Sequence, residues 1–117
     1  MQLILLCSLA DLNAHGAKGV VIGSGLEQKR FLLVKSGNAV KCYRNECPHQ
    51  GTPLDTFPDK FLDGAGEYLV CSTHGARFQI DDGLCVLGPC LGQSLVPREI
   101  SIRDEQVYLT LDPDEVD

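Results

Sequence analysis

The chain has no tryptophan, one methionine, four phenylalanines and three tyrosines, so any core must be built mainly from aliphatic side chains. Positive charge is scarce. Ten Lys and Arg stand against sixteen Asp and Glu, giving a formal net charge of −6 and a pI of about 4.9. A nucleic-acid binder concentrates Lys and Arg on one face, so that class is set aside. An acidic surface suits a soluble protein, or one that docks on a basic partner. No apolar run is long enough to cross a bilayer. The longest at the N-terminus, Leu3 to Ala10, is not preceded by the Lys or Arg of a secretory signal. Bulky Leu6 also stands where a lipoprotein cleavage site before Cys7 would need a small residue. This run is read as a buried first strand. No membrane partner is expected, and the expected compartment is the cytoplasm, where thiols stay reduced. Histidine is rare as well, with only three in the chain.

Turn formers are plentiful. Twelve Gly and six Pro spread over 117 residues favour many turns over long helices, and the length suits one domain. No internal repeat is visible. Strand-like runs rich in Val, Ile, Leu and Phe occupy residues 3–7, 18–24 and 29–37, and residues 38–45 alternate. Ser36-Gly37-Asn38 is a hairpin signal between the last two. A second hairpin is expected from 94–104 and 105–112, turning at Asp104-Glu105, because Ile100, Ile102, Val107, Leu109 and Leu111 recur with period two. Residues 10–19 are small and polar and read as a loop with one helical turn; the acidic 112–117 reads as a frayed end.

The middle differs in kind. Residues 45–93 are dense in Gly, Pro, Cys and Asp, with short strand candidates only at 67–71 and 76–80. Asp81-Asp82-Gly83 reads as a turn, not a catalytic carboxylate pair. The expected fold is therefore all-β: a frame of residues 1–44 and 94–117 around an inserted, loop-rich subdomain, 45–93, in a single domain of 1–117. Such an insert has no periodic core of its own, and a metal site could hold it.

Six cysteines are present: Cys7, Cys42, Cys47, Cys71, Cys85 and Cys90. In a reducing compartment they point to metal, catalysis or burial before disulfides. Two lie in near-repeats: Cys47-Pro48-His49, then 21 residues, then Cys71-Ser72-Thr73-His74-Gly75. Thiolate and neutral imidazole suit both zinc and iron. One metal with all four ligands would be a structural zinc site. Two metals would be a two-iron cluster with both thiolates on one iron and both imidazoles on the other.

Together with Gly51-Thr52-Pro53-Leu54, Gly75-Ala76-Arg77-Phe78 and Gly88-Pro89-Cys90, these halves resemble the Rieske [2Fe–2S] family over the whole chain. The gap between the halves exceeds that of the smallest members, and residues 58–68 take up the difference. The resemblance implies an antiparallel β-sandwich frame and a cluster-binding insert whose third, proline-containing loop is 88–90. It implies one [2Fe–2S] cluster per chain, with Cys47 and Cys71 on the inner iron and His49 and His74 on the outer. It implies that backbone N–H groups of both loops aim at the bridging sulfides, with Gly51 and Gly75 allowing close approach. An oxidised cluster with two thiolates and two neutral imidazoles sums to zero charge, against −2 for four thiolates, so it accepts an electron more readily.

High-potential members carry a bracing cysteine pair that would fall at Thr52 and Thr73, and hydroxyl residues that would fall at Ala76 and Phe78. The resemblance is thus to the low-potential branch. Cys7 and Cys42 read as reduced core residues, His15 as a surface residue, and Cys90 as a neighbour of the cluster without ligating it. A Cys85–Cys90 disulfide is the less favoured alternative to two thiols. The resemblance implies a stand-alone ferredoxin, a monomeric electron carrier and not an enzyme, placed between a flavin reductase and a terminal oxygenase. The 117 residues leave no room for an oxygenase catalytic domain. The alternatives are a small redox subunit of a larger enzyme, such as a nitrite-reductase-like complex, and a structural zinc module.

Overall fold

The computed structural model describes residues 2–23, 28–48, 51–55, 60–71 and 75–111, leaving aside the side chain of His15. The expectations for His49, Thr73, His74, the surface placement of His15 and the tail at 112–117 therefore lie outside the described residues. The elements are β1 (Gln2–Ser8), α1 (Leu9–His15), β2 (Ala17–Ile22), β3 (Lys29–Ser36), β4 (Ala39–Arg44), β5 (Tyr68–Val70), β6 (Arg77–Gln79), β7 (Cys85–Leu87), β8 (Pro97–Arg98), β9 (Ile100–Arg103) and β10 (Gln106–Leu111). They form three antiparallel sheets, ordered β1-β10-β9, β2-β3-β4-β8 and β5-β6-β7. The all-β class expected from the alternating runs is what the chain adopts. Among the described residues no helix is long and apolar enough to cross a membrane.

The second sheet is the middle layer, and β3 shows why. Phe31, Leu32, Leu33 and Val34 are all buried. Successive side chains of a strand point to opposite faces, so one run serves two cores. Phe31 and Leu33 pack with Leu6, Cys7, Leu12, Cys42, Val107 and Leu109. Leu32 and Val34 pack on the other side with Tyr43, Cys47, Leu54, Phe61, Leu69, Cys71 and Phe78. β4 divides in the same way, with Cys42 in the first core and Tyr43 in the second. A register shift between Leu5 and Cys7 lets β1 place both Leu6 and Cys7 inward.

Both expected hairpins form. Ser36 pairs with Ala39 around Gly37, whose φ is 60°. Arg103 pairs with Gln106 around Asp104 and Glu105, with φ of 50° and 63°. Two left-handed residues in a two-residue loop match the twist of the strands. The segment 10–19 holds more than the one helical turn expected of it: α1 covers Leu9–His15 and β2 begins at Ala17. The local signals are conventional. Ser8 accepts from the Asp11 N–H at 3.1 Å, and Gly16, at φ 77°, donates to the Leu12 carbonyl at 2.8 Å. The expected strand at 94–104 is divided between sheets. β8 pairs with β4 and β9 with β10, the chain changing layer at Glu99. Pro97 has no N–H to offer a further neighbour, which suits β8 to a sheet edge.

Glu105 occupies a conformation that costs a residue with a side chain about 1–2 kcal/mol. Glu105→Gly is expected to raise stability by about 1 kcal/mol, read as a higher urea midpoint at unchanged slope. An unchanged or lower midpoint would show that the turn is not strained.

Candidate metal centre

The third sheet and the loops around it carry four of the six cysteines. Cys47, Cys71, Cys85 and Cys90 are buried together in the second core, whereas Cys7 and Cys42 lie in the first. Burial pushes the Cys42 thiol up to about 12, partly offset by Arg98, and raises the Cys7 thiol as well. Both are protonated core thiols, as their strand positions suggest.

Cys47 and Cys71 begin loops of one design. The Cys47 N–H donates to the Thr52 carbonyl at 2.8 Å, and the Gly51 N–H donates to the Cys47 carbonyl at 2.6 Å. The Cys71 N–H donates to the Ala76 carbonyl at 2.9 Å, and the Gly75 N–H donates to the Cys71 carbonyl at 2.8 Å. In each loop the cysteine amide takes the carbonyl five residues on, and its carbonyl takes the amide four residues on. Each closure needs a left-handed residue, and Gly51 and Gly75 supply it at φ 73° and 72°. Among the described residues, a Cβ added at either would meet no protein atom within 4 Å, so turn geometry is what the protein itself asks of them. Their N–H groups donate to the cysteine carbonyls.

Two devices tie the insert to the frame, and a third braces the insert internally. Asn45 is buried; its Oδ1 accepts from the Leu54 N–H at 2.8 Å and its Nδ2 donates to Asp55 Oδ1 at 2.9 Å. Its own N–H donates to the Arg30 carbonyl at 2.9 Å. Asn45 thereby ties the first loop to β3, and nothing in the cysteine–histidine spacing marks it. Tyr43 reaches from β4 to donate from its hydroxyl to the Ile80 carbonyl at 2.6 Å. Burial, then Asp82 and Asp81, push its phenol up to about 12. Its ring lies under Gly83, where an added Cβ would come within 2.9 Å of it. Finally, Asp63 Oδ1 accepts from the Glu67 and Tyr68 amides at 2.8 and 3.3 Å, while Oδ2 pairs with Arg77 at 2.8 Å.

The third loop lies on the second. A Cβ at Gly88, φ 109°, would fall 2.8 Å from the Ala76 Cα. Cys90 is buried and its Sγ–H donates to Cys85 Sγ at 3.1 Å, so the two are thiols in contact and not a bonded pair. Burial, then Cys85 and Cys47, push the Cys90 thiol up to about 12. Cys90 thus sits beside Cys47.

Two buried sulfurs on matched loops, in one apolar core, fit what a sulfide-bridged two-iron group takes from a protein. The model of the Rieske [2Fe–2S] domain matches residues 2–107. The chain belongs to the Rieske [2Fe–2S] domain family. Its cofactor is accordingly a Rieske-type [2Fe–2S] cluster. Solved structures show the same fold at low identity. The ferredoxin of carbazole 1,9a-dioxygenase from Nocardioides aromaticivorans is 15% identical, with a TM-score of 0.71 over 96% of this chain and 100% of that one. A Sphingomonas yanoikuyae ferredoxin is 19% identical, with a TM-score of 0.70 over 95% and 100%. The small subunit of a putative nitrite reductase (NADPH) is also 19% identical, with a TM-score of 0.66 over 95% and 100%. No curated protein matches the chain.

Two outcomes follow from the supports of the Rieske loops. Asn45→Ala leaves the buried Leu54 amide without its acceptor, a loss of about 1–3 kcal/mol. It should lower the denaturation midpoint and speed bleaching of the cluster absorbance. No change in either would show that the Asn45 bracket is dispensable. The Asp63 carboxyl is held below the ordinary aspartate range, first by the Glu67 amide and then by the Tyr68 amide and Arg77. A depressed acid stabilises the fold above its unfolded pKa and loses that contribution as pH falls through the folded value. Stability should therefore fall as pH drops through and below about 3.9, and Asp63→Asn should flatten that part of the profile. An identical acid limb in Asp63→Asn would exclude the role.

Proposed function

We propose that this Rieske domain is a one-electron carrier of the ferredoxin type and not an enzyme. In this reading Cys47 and Cys71 hold the inner iron and His49 and His74 the outer. The cluster, when bound, supplies reversible one-electron exchange. The observation that carries the ligand assignment is the shared closure of the two loops, which presents two buried cysteines in equivalent backbone settings. Each loop continues to a histidine in the sequence, two residues after Cys47 and three after Cys71.

The partners in this reading are a flavin reductase as donor and a terminal oxygenase as acceptor, in the cytoplasm, with the carrier monomeric. Support comes from the match along nearly the whole length of ferredoxins, one of them the ferredoxin of a dioxygenase. The acidic surface suits brief docking on a basic face.

The purified protein should hold two irons and two acid-labile sulfides per chain and give, once reduced, an EPR signal typical of mixed nitrogen and sulfur ligation. A colourless protein with one zinc would end this reading. Ser at Cys47 or Cys71, or Ala at His49 or His74, should prevent normal cluster assembly, whereas Ala at His15 or Ser at Cys7 should not. Assembly that survives Cys71→Ser but fails in Cys90→Ser would overturn the ligand assignment.

The potential should lie near the low end of the range known for Rieske centres, roughly −150 to +300 mV. Ala76 and Phe78 are fully buried and apolar, so neither offers a hydroxyl. Ala76→Ser should raise the potential by some tens of millivolts, since about 59 mV is a tenfold change for one electron and a single hydrogen bond is worth at most about 1.5–3 kcal/mol. Voltammetry at fixed pH decides. A wild-type value well above zero would remove the low-potential assignment.

A further inference from the structure

Two of the four cysteines in the site-facing core have no part in the ligand set. Cys85 ends β6–β7's connection as the first residue of β7, and Cys90 lies five residues on. The Cys90 Sγ–H donates to Cys85 Sγ at 3.1 Å, and the Cys85 Sγ–H donates to the Leu87 carbonyl at 3.3 Å. The backbone holds the two positions face to face. The Cys85 N–H donates to the Gln93 carbonyl at 2.8 Å, the Gly92 N–H to the Cys85 carbonyl at 3.1 Å, and the Gln93 N–H to the Cys90 carbonyl at 2.9 Å. A disulfide is about 2.05 Å long, so about 1 Å of further approach would close the pair.

The setting favours conversion between states over permanent bonding. Residues 87–89 and 91–94 are exposed, so the buried sulfurs are covered by a surface loop. Gly88 and Gly92, both left-handed, flank Cys90 and let that loop open locally. The ring would be short, and a short ring constrains the unfolded chain little. Strained or exposed disulfides are the labile ones; this pair is buried, so exchange at it takes local opening of the covering loop. Cys7 and Cys42, by contrast, lie in the frame core behind β3.

We propose that Cys85 and Cys90 form a second redox site: a dithiol that a small-molecule disulfide oxidises to an intramolecular disulfide within the third loop. One protein thiol, as its thiolate, attacks the reagent RSSR, forming a mixed disulfide and expelling one RSH. The second protein sulfur attacks that mixed disulfide, forming the Cys85–Cys90 bond and expelling the second RSH. The two protons of the protein thiols leave on the two RSH molecules. The reagent gains two electrons and the protein pair loses two, so no electron passes through the cluster.

Trypsin makes the test clean, because cleavage after Arg77 and Arg98 releases residues 78–98, which hold Cys85, Cys90 and no other cysteine. Cluster-loaded protein is treated with glutathione disulfide, then denatured, alkylated and digested. The expected peptide is lighter by two hydrogens and carries no alkyl group. Dithiothreitol should return two alkylatable thiols, and the cluster absorbance should persist through the treatment. Cys85→Ser, loaded in the same way, should not show the loss of two hydrogens. The proposal is overturned if both thiols remain alkylatable, if the product stops at a glutathione adduct, if 78–98 is linked to a Cys7 or Cys42 peptide, or if bridging follows only after the cluster bleaches. The proposal rests on the proposed ligand set, which leaves Cys85 and Cys90 free of iron; the mass readout does not depend on electron transfer, so its failure is separate from failure of the carrier reading.

Discussion

The loops that begin at Cys47 and Cys71 contain too few apolar side chains to bury themselves, and the architecture turns on where they find a core. They find it on one face of the middle sheet. Leu32, Val34 and Tyr43 leave β3 and β4 on that side, and Leu54, Phe61, Leu69, Phe78 and Leu95 close over them. Each such side chain, fully buried, is worth about 1.5–3 kcal/mol. This is larger than the contribution of a single loop hydrogen bond, about 0.5–1.5 kcal/mol. Burial therefore decides that the loops dock, and the hydrogen bonds decide their shape. The cost falls on β3, which must be apolar on both faces and so carries an unbroken Phe-Leu-Leu-Val run in place of the usual alternation.

What could be read in the sequence was local. A two-residue turn with glycine, or a strand alternating against solvent, leaves its sign within a few residues, and both hairpins and the all-β class could be read that way. The family could be read too, because coordination chemistry limits residue type and spacing far more tightly than packing does. The helix at Leu9–His15 was legible in principle, since Ser8 and Gly16 are ordinary cap residues, but the polar composition between them resembles a loop. The change of sheet at Glu99 was not legible. Residues 94–104 read as one strand because alternation reports which face is buried and not which neighbour is paired. Asn45 is hidden for a related reason: its partners, Arg30, Leu54 and Asp55, are assembled by the fold. At Gly51 and Gly75 the residue type was read as special, and φ, which the sequence does not display, adds a reason from within the protein.

The same burial that docks the loops also bears on their chemistry. In the proposed ligand set an added electron places net negative charge beside Cys47 and Cys71, both buried among apolar side chains. Burying charge is costly unless donors meet it. Donors are scarce in one respect: Ala76 and Phe78 offer none, and the Gly51 and Gly75 amides are committed to cysteine carbonyls. Burial and the missing hydroxyls therefore act in the same direction, toward a lower potential. Opposing them is the replacement of two thiolates by neutral imidazoles in the proposed ligand set, which removes two negative charges from the centre itself. A full charge at coordination distance outweighs a hydrogen-bond dipole. The ligand set thus fixes the range in which the potential falls, and the apolar shell of the second core sets its place within that range.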